Sequence, residues 1–123
     1  ENDQNQQWND LKIMTAKLAG GFKKRANQSN VIRSYIEDSP YPVIVCGDFN
    51  DTPSSYSYAQ LSHGLKDAFI EGGSGIGTTY LGFLPALRID YMLFSEGISL
   101  ADFDISSTEL SDHKPIIGRF NFE

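Results

Sequence analysis

The segment Val43-Ile44-Val45-Cys46-Gly47-Asp48-Phe49-Asn50 joins a short apolar run to a glycine, an acid and an amide. A continuous β-branched run of this length is typical of a strand that is buried on both faces. We therefore expect Cys46, inside the run, to be a buried and unreactive thiol. Asp48 and Asn50 are two residues apart, so both side chains would point to one side of an extended chain. The ends of buried strands often present functional groups, but Asp and Asn also favour plain turns, so this segment alone leaves both interpretations open.

A second segment, Arg88-Ile89-Asp90-Tyr91, begins a predicted strand over 88–94 and shows the same alternation. Arg88 and Asp90 would share one face of this strand, and Ile89 and Tyr91 the other. Taken alone, the pattern also fits a local ion pair on a strand surface. Its interest comes from a third segment, which supplies a histidine that a carboxylate would orient.

The third segment is Ser111-Asp112-His113-Lys114-Pro115. Proline stands only at the start or edge of a strand, so Asp112 and His113 should lie just outside a predicted final strand over 116–122. Adjacent residues on an extended segment point in opposite directions, so the two side chains need separate partners. A second carboxylate would orient the imidazole and stabilise its protonated form, and Asp90 is the natural candidate. Asp112 is then left to bind a metal.

Oxygen ligands of this kind favour a hard cation such as Mg²⁺, which uses few protein carboxylates and keeps several waters. Zinc prefers additional His or Cys ligands, and the sequence holds only two histidines, His63 and His113. His63 lies in a Ser-His-Gly turn and is expected at the surface. The sequence thus predicts a site of three carboxylates, an amide and an imidazole, which suits a divalent metal and a phosphate ester.

The first forty residues predict helix. Apolar residues recur at spacings of three and four, which indicates an amphipathic helix that is broken or kinked at Gly20-Gly21. A second helical stretch should end near Ser39-Pro40, because the residue before proline disfavours helical geometry. We expect both apolar stripes to contact the core; they are Trp8, Leu11, Thr15, Leu18 and Phe22 in the first and Ala26, Val31, Ile32, Tyr35 and Ile36 in the second.

Beyond residue 42 the pattern changes to strands and loops. The glycine-rich stretch 72–79 nearly matches a phosphate-binding loop, but Thr78 stands where that loop needs lysine, so a flexible rim loop is expected. A helical lead followed by a buried strand and several further strands predicts an α/β (α+β) fold with helices packed on the sheet. The other predicted elements are a capping loop over 51–55, a short helix over 56–61, and strands over 88–94, 116–122 and, with a weaker pattern, 98–106.

The composition fits one domain of 123 residues, of which 40% are hydrophobic, enough for a packed core. The net charge of −6 works only weakly against non-specific nucleic-acid binding, since a bound metal would locally reverse the sign. A single cysteine forms no intrachain disulfide, which leaves the redox compartment open. No apolar run approaches the roughly 20 residues of a membrane span, and there is no signal peptide or initiator Met. We expect the sequence to be part of a longer protein of unknown localisation.

Taken together and in this order, the three segments closely resemble the endonuclease/exonuclease/phosphatase superfamily, also called DNase I-like. The resemblance runs from about Arg25 to the C-terminus, whereas residues 1–20 look like an insertion or helical lead-in. It implies that residues 1–123 are the C-terminal part of one such domain, a four-layered α/β sandwich with a mixed, mainly antiparallel sheet. It also implies hydrolysis of phosphate esters with a divalent metal, Mg²⁺ or alternatively Mn²⁺.

The resemblance further implies a role for each matching residue. Asp48 would orient or deprotonate the attacking water, and Asn50 would hydrogen-bond the scissile phosphate or the nucleophile. Asp112 would bind the metal, while His113, paired with Asp90, would stabilise or protonate the phosphoryl group. Supporting positions would be Arg88, Tyr80 and Ser111.

One departure from the family pattern is large. The principal metal-binding glutamate of the superfamily lies in an N-terminal half that this sequence does not contain. We therefore expect a phosphodiester or phosphomonoester hydrolase that needs the missing half, or a second copy of the chain, and is inactive as this piece alone. Nucleic acid, phospholipid and inositol phosphate all remain open as substrates. The alternative is a non-catalytic interaction module that retains the C-terminal half of the fold.

Overall fold

The computed structural model describes residues 2–81 and 87–122. Within these ranges the chain folds into helices and antiparallel strands, as the predicted α+β fold requires. In chain order the elements are α1 (Asn2–Asp38), β1 (Ile44–Asp48), α2 (Tyr56–Ser62), β2 (Lys66–Asp67), α3 (Ala68–Gly72), β3 (Asp90–Phe94), β4 (Ile98–Ile105) and β5 (Ile116–Phe122).

Two antiparallel sheets carry the strands. One has the order β1-β3-β2, with β3 in the centre, and the other is the hairpin-like pair β4-β5. The strands predicted over 43–46, 88–94, 98–106 and 116–122 are present as β1, β3, β4 and β5, with ends that differ by up to two residues, whereas β2 and α3 are too short to have left a sequence pattern. α2 begins where the loop before it predicts, because the Ser55 side chain accepts a hydrogen bond from the Tyr58 N–H and caps the helix.

A single helix, α1, replaces the two that the sequence predicts. It passes through Gly20-Gly21 without a break, so the predicted interruption is wrong. Glycine in a helix interior costs only about 1 kcal/mol relative to alanine, and the neighbouring residues are mostly good helix formers. The predicted end is confirmed, since α1 stops at Asp38, just before Ser39-Pro40. No helix among the described residues is both long and apolar enough to cross a membrane, although α1 has 37 residues.

The apolar stripes of α1 are largely exposed, which corrects the expectation that they contact the core. Among the stripe residues whose side chains the structure describes, only Ile36 packs against a buried cluster. Helix α1 contacts mainly α2, through its C-terminal half, where the Tyr56 hydroxyl donates to Asn30 Oδ1 at 2.9 Å. The exposed members are Trp8, Leu11, Phe22, Val31, Ile32 and Tyr35, while the side chain of Leu18 lies outside the described set.

Two buried clusters hold the sheets in place. The first cluster lies between the helices and one face of β1 and β3, and is formed by Leu61, Tyr91 and Leu93 with Val45, Phe49 and Tyr58 against it. The second cluster joins the β4-β5 pair to α3 and β3, and is formed by Ala68, Phe94, Ile98 and Phe103 with Met92, Ile116 and Phe120 against it. The central strand β3 therefore contributes to both clusters, one from each face.

Strand β1 is buried on one face only, contrary to the prediction. Val45 packs into the first cluster, but Ile44 and Cys46 on the other face are exposed, so Cys46 is not the buried thiol that the sequence predicts. By alternation, this open face also carries Asp48. The face of β1 that bears the candidate functional residue is thus uncovered in this chain.

Candidate active site

Two carboxylates face each other across the sheet. In the antiparallel register of β1 and β3, Asp48 lies directly opposite Asp90. Like charges directly opposite one another destabilise a sheet unless something compensates them. This pair therefore calls for a cation, or a proton, between the two strands.

His113 supplies that group. Its Nδ1 lies 2.8 Å from Asp90 Oδ2, and its Nε2 lies 3.6 Å from Asp48 Oδ2. The hydrogen bond with Asp90 is the main cause that raises the pKa of His113 above its ordinary value, and the charges of Asp90, Asp48 and Asp112 add to it, while partial burial opposes it. The histidine that the sequence pairs with Asp90 is therefore in contact with it and favours the imidazolium form.

The loop around His113 is fixed by its own side chains and by a neighbouring segment. The His113 N–H donates to Ser111 Oγ at 3.0 Å, and the Ser111 hydroxyl donates to the His113 carbonyl at 3.1 Å. Tyr80 forms a β-bridge with His113, and the two rings lie 5.2 Å apart between centroids. Ser111 and Tyr80 thus hold the segment that carries the imidazole, while their supporting role in the site stays a prediction.

Asp48 is held by a tight local turn. Its Oδ1 accepts a hydrogen bond of 2.8 Å from the Asn50 N–H, so the acid closes an Asx turn. Asn50 has a left-handed backbone with φ of 52°, a conformation that asparagine tolerates better than most residues. The turn leaves Asp48 Oδ2 directed at His113 and the Asn50 side chain exposed beside it.

An open cleft of about 410 Å³ gathers these groups, with Asp48, Asp90, Ser111 and His113 among its lining. Asn50 lines a neighbouring cavity of about 210 Å³ between α1 and β1, and Asp48 borders both spaces. Asn50 is therefore adjacent to the main cleft but does not line it. The loop that carries it is tied to α1, since Arg25 Nε donates to Asp51 Oδ2 at 2.9 Å.

Asp112 stands apart from the other acids. Asp48, Asp90 and His113 each offer one ligand atom, and these three atoms lie within 4.8 Å of one another. Asp112 is not in that group, although its exposed carboxylate is close enough to help raise the pKa of His113. Within the part of the chain that the structure describes, the acids that meet around His113 are thus Asp48 and Asp90, and the predicted metal ligand Asp112 is not in that group.

Arg88 does not pair with Asp90, so the local ion pair considered from the sequence is wrong. Arg88 is buried and its Nη1 donates to both carboxylate oxygens of Asp67, at 3.1 and 2.8 Å. Its guanidinium lies 4.7 Å from the centre of the Phe69 ring and 4.8 Å from that of Tyr91. Arg88 supports the site only at a distance, by fixing the backbone just before β3.

Comparison with known proteins identifies the family. The model of the Endonuclease/Exonuclease/phosphatase family matches residues 22–113, three quarters of the chain. The chain belongs to this family. Members of the endonuclease/exonuclease/phosphatase family are hydrolases of phosphate esters and are generally metal-dependent. No curated protein matches the sequence.

Solved structures share the fold. A functionally unknown conserved protein from Enterococcus faecalis is 20% identical with a TM-score of 0.72, over 83% of this chain and 46% of its own. An endonuclease/exonuclease/phosphatase from Bacteroides vulgatus is 25% identical with a TM-score of 0.68, over 82% and 45%. A mannosyl-6-phosphatase from Bacteroides thetaiotaomicron is 21% identical with a TM-score of 0.65, over 81% and 46%. The chain therefore spans less than half the length of these three solved structures.

No sequence pattern points to Thr79 as a residue of the site. This residue is fully buried in the loop before β3, and its Oγ1 accepts the N–H groups of Ile89 and Asp90. It lies at the end of the glycine-rich stretch that the sequence assigns to a flexible rim loop. The contact of Thr79 with Ile89 and Asp90 depends on the packing of that loop against the start of β3, and no local sequence motif predicts such packing.

Proposed function

We propose that this chain supplies one side of the active site of a divalent-metal-dependent phosphoester hydrolase, with Asp48, Asn50, Asp90 and His113 as its catalytic residues. The observation that carries the proposal is the imidazole of His113 between two carboxylates, 2.8 Å from Asp90 and 3.6 Å from Asp48. Core packing does not require two opposed acids and a half-exposed histidine. Phosphoryl transfer does benefit from such a protonated, oriented donor.

Each side chain would have a separate task. Asp90 holds the Nδ1 proton and so fixes the ring and its charge. The contact of 3.6 Å between Nε2 and Asp48 is longer than a hydrogen bond, which leaves the Nε2 proton available to a phosphoryl oxygen. Asp48, with one oxygen held by the Asn50 N–H, would orient or deprotonate the attacking water through the other. The Asn50 amide would hydrogen-bond the phosphate.

The donor set fits a hard cation in part. Asp48 and Asp112 are exposed carboxylates near His113, and oxygen ligands of this type suit Mg²⁺ or Mn²⁺. Asp112 would hold the ion, because Asp90 is already engaged by His113 and the free oxygen of Asp48 is assigned to the attacking water. When bound, the metal would supply Lewis-acid stabilisation of charge on the phosphate. One carboxylate makes a weak site, so further ligands from outside this chain would be needed for tight binding.

The experiment uses the full-length protein with bis(4-nitrophenyl) phosphate and 4-nitrophenyl phosphate, with Mg²⁺ or Mn²⁺ and with EDTA. We expect metal-dependent hydrolysis of at least one ester. His113→Asn and Asp48→Asn should each lower kcat by about 10²–10⁴-fold, the usual contribution of a general acid or base. Asp104→Asn, an exposed acid on β4, is the matched control and should leave kcat unchanged. Wild-type rates in both site variants would contradict the proposal.

A second candidate is a non-catalytic interaction module. It is favoured by the coverage of less than half of each family structure and by the open face of β1. On this hypothesis the chain would bind a partner, either the other half of such a domain or a second copy, without hydrolysing an ester. The same assay distinguishes the two, since the module would bind its partner and yet show no turnover in the complex.

The class of phosphate ester is a separate question. Nucleic acid, phospholipid and inositol phosphate are the candidates, and the net charge of −6 weakly disfavours a nucleic-acid duplex. A competition assay would rank them: each candidate is added to the chromogenic reaction, and the true substrate class should inhibit it at the lowest concentration.

A further inference from the structure

Thr79 has an unusual environment for a loop residue. It is fully buried, with none of its surface exposed, in the segment between α3 and β3. Its Oγ1 accepts two backbone hydrogen bonds, from the Ile89 N–H at 3.0 Å and from the Asp90 N–H at 3.2 Å. One hydroxyl oxygen therefore satisfies two consecutive backbone donors where β3 begins.

The backbone of Thr79 joins the segment before β3 to the segment that carries His113. Its carbonyl accepts the Lys114 N–H at 2.7 Å, and its own N–H donates to the Leu87 carbonyl at 2.9 Å. The next residue, Tyr80, forms the β-bridge to His113. Thr79 thus binds Asp90 through its side chain and Lys114, the residue after His113, through its main chain.

The two hydrogen bonds that Thr79 Oγ1 accepts have an energetic consequence. A buried N–H group without an acceptor is strongly unfavourable, and here two such groups depend on one oxygen. If the oxygen were removed, the peptide groups before Asp90 would relieve the cost by rotating toward another acceptor. Such a rotation would move the Asp90 carboxylate, whose Oδ2 lies only 2.8 Å from His113 Nδ1.

The geometry points to Thr79 as a positioning residue, whose Oγ1 holds the backbone of Asp90 so that its carboxylate meets the His113 imidazole. The inference rests on the proposed function for its kinetic consequence, but the contact itself can be tested without turnover. Thr79 touches neither substrate nor metal in this role. Its effect passes through Asp90 alone.

The test compares Thr79→Val with Thr79→Ser in the full-length protein. Valine keeps the shape and removes the acceptor, whereas serine keeps the acceptor. At a fixed pH, the NMR signal of the His113 Nδ1 proton should stay at its wild-type position in Thr79→Ser and shift or disappear in Thr79→Val. In the hydrolysis assay, Thr79→Val should lower kcat by about 10–100-fold with little change in KM, because the loss of one aligned charged hydrogen bond is of that order. Thr79→Ser should restore kcat.

A general loss of stability is separated from this effect by Ile98→Val. Ile98 is buried in the second cluster and has no described hydrogen bond to the site, so its variant should lower the melting temperature without moving the Nδ1 proton signal or kcat. If Thr79→Val does not fold, Thr79→Cys replaces it, since sulfur is a weaker acceptor and should give an intermediate change.

The outcomes are distinct. A wild-type Nδ1 signal in Thr79→Val, or in Thr79→Cys where that variant is needed, overturns the inference whatever the activity. A changed signal with kcat no lower than in Ile98→Val also overturns it. If the wild-type protein hydrolyses none of the esters, the proposed function fails, and the NMR comparison alone still decides whether Thr79 positions Asp90.

Discussion

At the scale of single residues, the site depends on charge compensation between strands. Asp48 and Asp90 are paired in register, and the half-buried His113 lies in contact with the second of them. The imidazolium form is favoured because it removes the repulsion between two opposed carboxylates. Protonation of His113 is thus built into the pairing of β1 with β3, and it sets the expected pH dependence of the site.

The first prediction concerns Asp90→Asn. The pKa of His113 is raised chiefly by its hydrogen bond with Asp90, so the amide should lower that pKa toward its ordinary value. Activity that needs the imidazolium is present below the raised pKa and is lost as pH rises through it, so the fall in rate should move to lower pH in the variant. A titration of the His113 Cε1 proton by NMR, beside the pH–rate profile, measures both.

The contribution of the Asp90–His113 pair to folding stability depends on pH in the same direction as the activity does. Because the folded-state pKa of His113 is raised, its contribution is fully present below the pKa of the unfolded chain and disappears as pH rises through the folded value. Asp102→Asn, which removes an exposed acid that pairs with Arg119, is the control and should leave the His113 titration unchanged. An identical His113 pKa with and without the Asp90 carboxylate would rule the pairing out.

The second prediction separates the backbone of Asn50 from its side chain. Glycine accepts the left-handed conformation at this position without strain, so Asn50→Gly should keep the turn and the N–H that binds Asp48. The amide contact to phosphate would be lost, and kcat/KM should fall by about 10–100-fold, the value of a hydrogen bond to a charged group. Thermal unfolding should change little. An unchanged kcat/KM would remove Asn50 from the catalytic set.

Residues of the site differ in how far the sequence predicts them. Asp48, Asp90 and His113 each stand beside a clear strand or proline signal, so their convergence follows from the order of the strands. The roles of Arg88 and Thr79 do not, because both depend on partners in other elements, Asp67 for one and the start of β3 for the other. A tertiary pairing of this kind leaves no local pattern.

At the scale of elements, β2, α3 and β3 are joined by a buried polar network. Asp67 accepts two hydrogen bonds from Arg88 and one of 2.8 Å from the Tyr58 hydroxyl, and its Oδ1 also caps α3 through the Phe69 N–H. Burial and the contact with Asp67 raise the pKa of Tyr58, which keeps this hydroxyl protonated as a donor. One acid thus fixes the segment from which β3 begins.

The third prediction is that Asp67→Asn destabilises the fold strongly. The variant leaves the Arg88 charge buried without a counter-ion, and breaking a buried pair in this way typically costs about 3–5 kcal/mol. Denaturant unfolding monitored by circular dichroism measures the change. Asp102→Asn again serves as the control, because an exposed pair contributes less than about 1 kcal/mol. Equal stability of the two variants would contradict a structural role for the network.

Helix α1 shows where element prediction from sequence fails. The spacing of apolar residues indicated helix correctly, and its end before Pro40 was predictable from the proline rule. The burial of its apolar side chains was not predictable. The spacing shows that an apolar stripe exists, but it does not show whether another element covers the stripe. In this chain Trp8, Leu11 and Phe22 each expose more than half of their surface. Burial depends on the rest of the assembly, which no single helix encodes.

At the scale of the whole molecule, strand β1 is also left uncovered, on one face and along one edge. The face of β1 that bears Asp48 also exposes Ile44 and Cys46, and β1 is an edge strand. Exposed edges and apolar faces tend to pair with other chains. Since the chain spans less than half the length of the solved structures compared above, a covering element of comparable size would be the simplest complement. This complement would come from the same protein or from a second copy.

The last prediction tests this complement through Cys46. Residues 1–123 alone should associate as their concentration rises, which light scattering would show as an increasing mean mass, and should bind Mg²⁺ weakly with negligible turnover. The exposed Cys46 thiol should react readily with a thiol reagent in dilute samples of this piece. In the full-length protein, where the open face of β1 would be covered, the same thiol should react many times more slowly. The control is His63, an exposed residue outside the site. Its rate of modification by a histidine reagent should be equal in both forms. Two results would contradict this prediction. Equal Cys46 rates in the two forms would show that nothing covers the open face of β1 in the full-length protein. A monodisperse monomer of residues 1–123 that hydrolyses phosphodiesters with Mg²⁺ would show that no covering half is needed for activity.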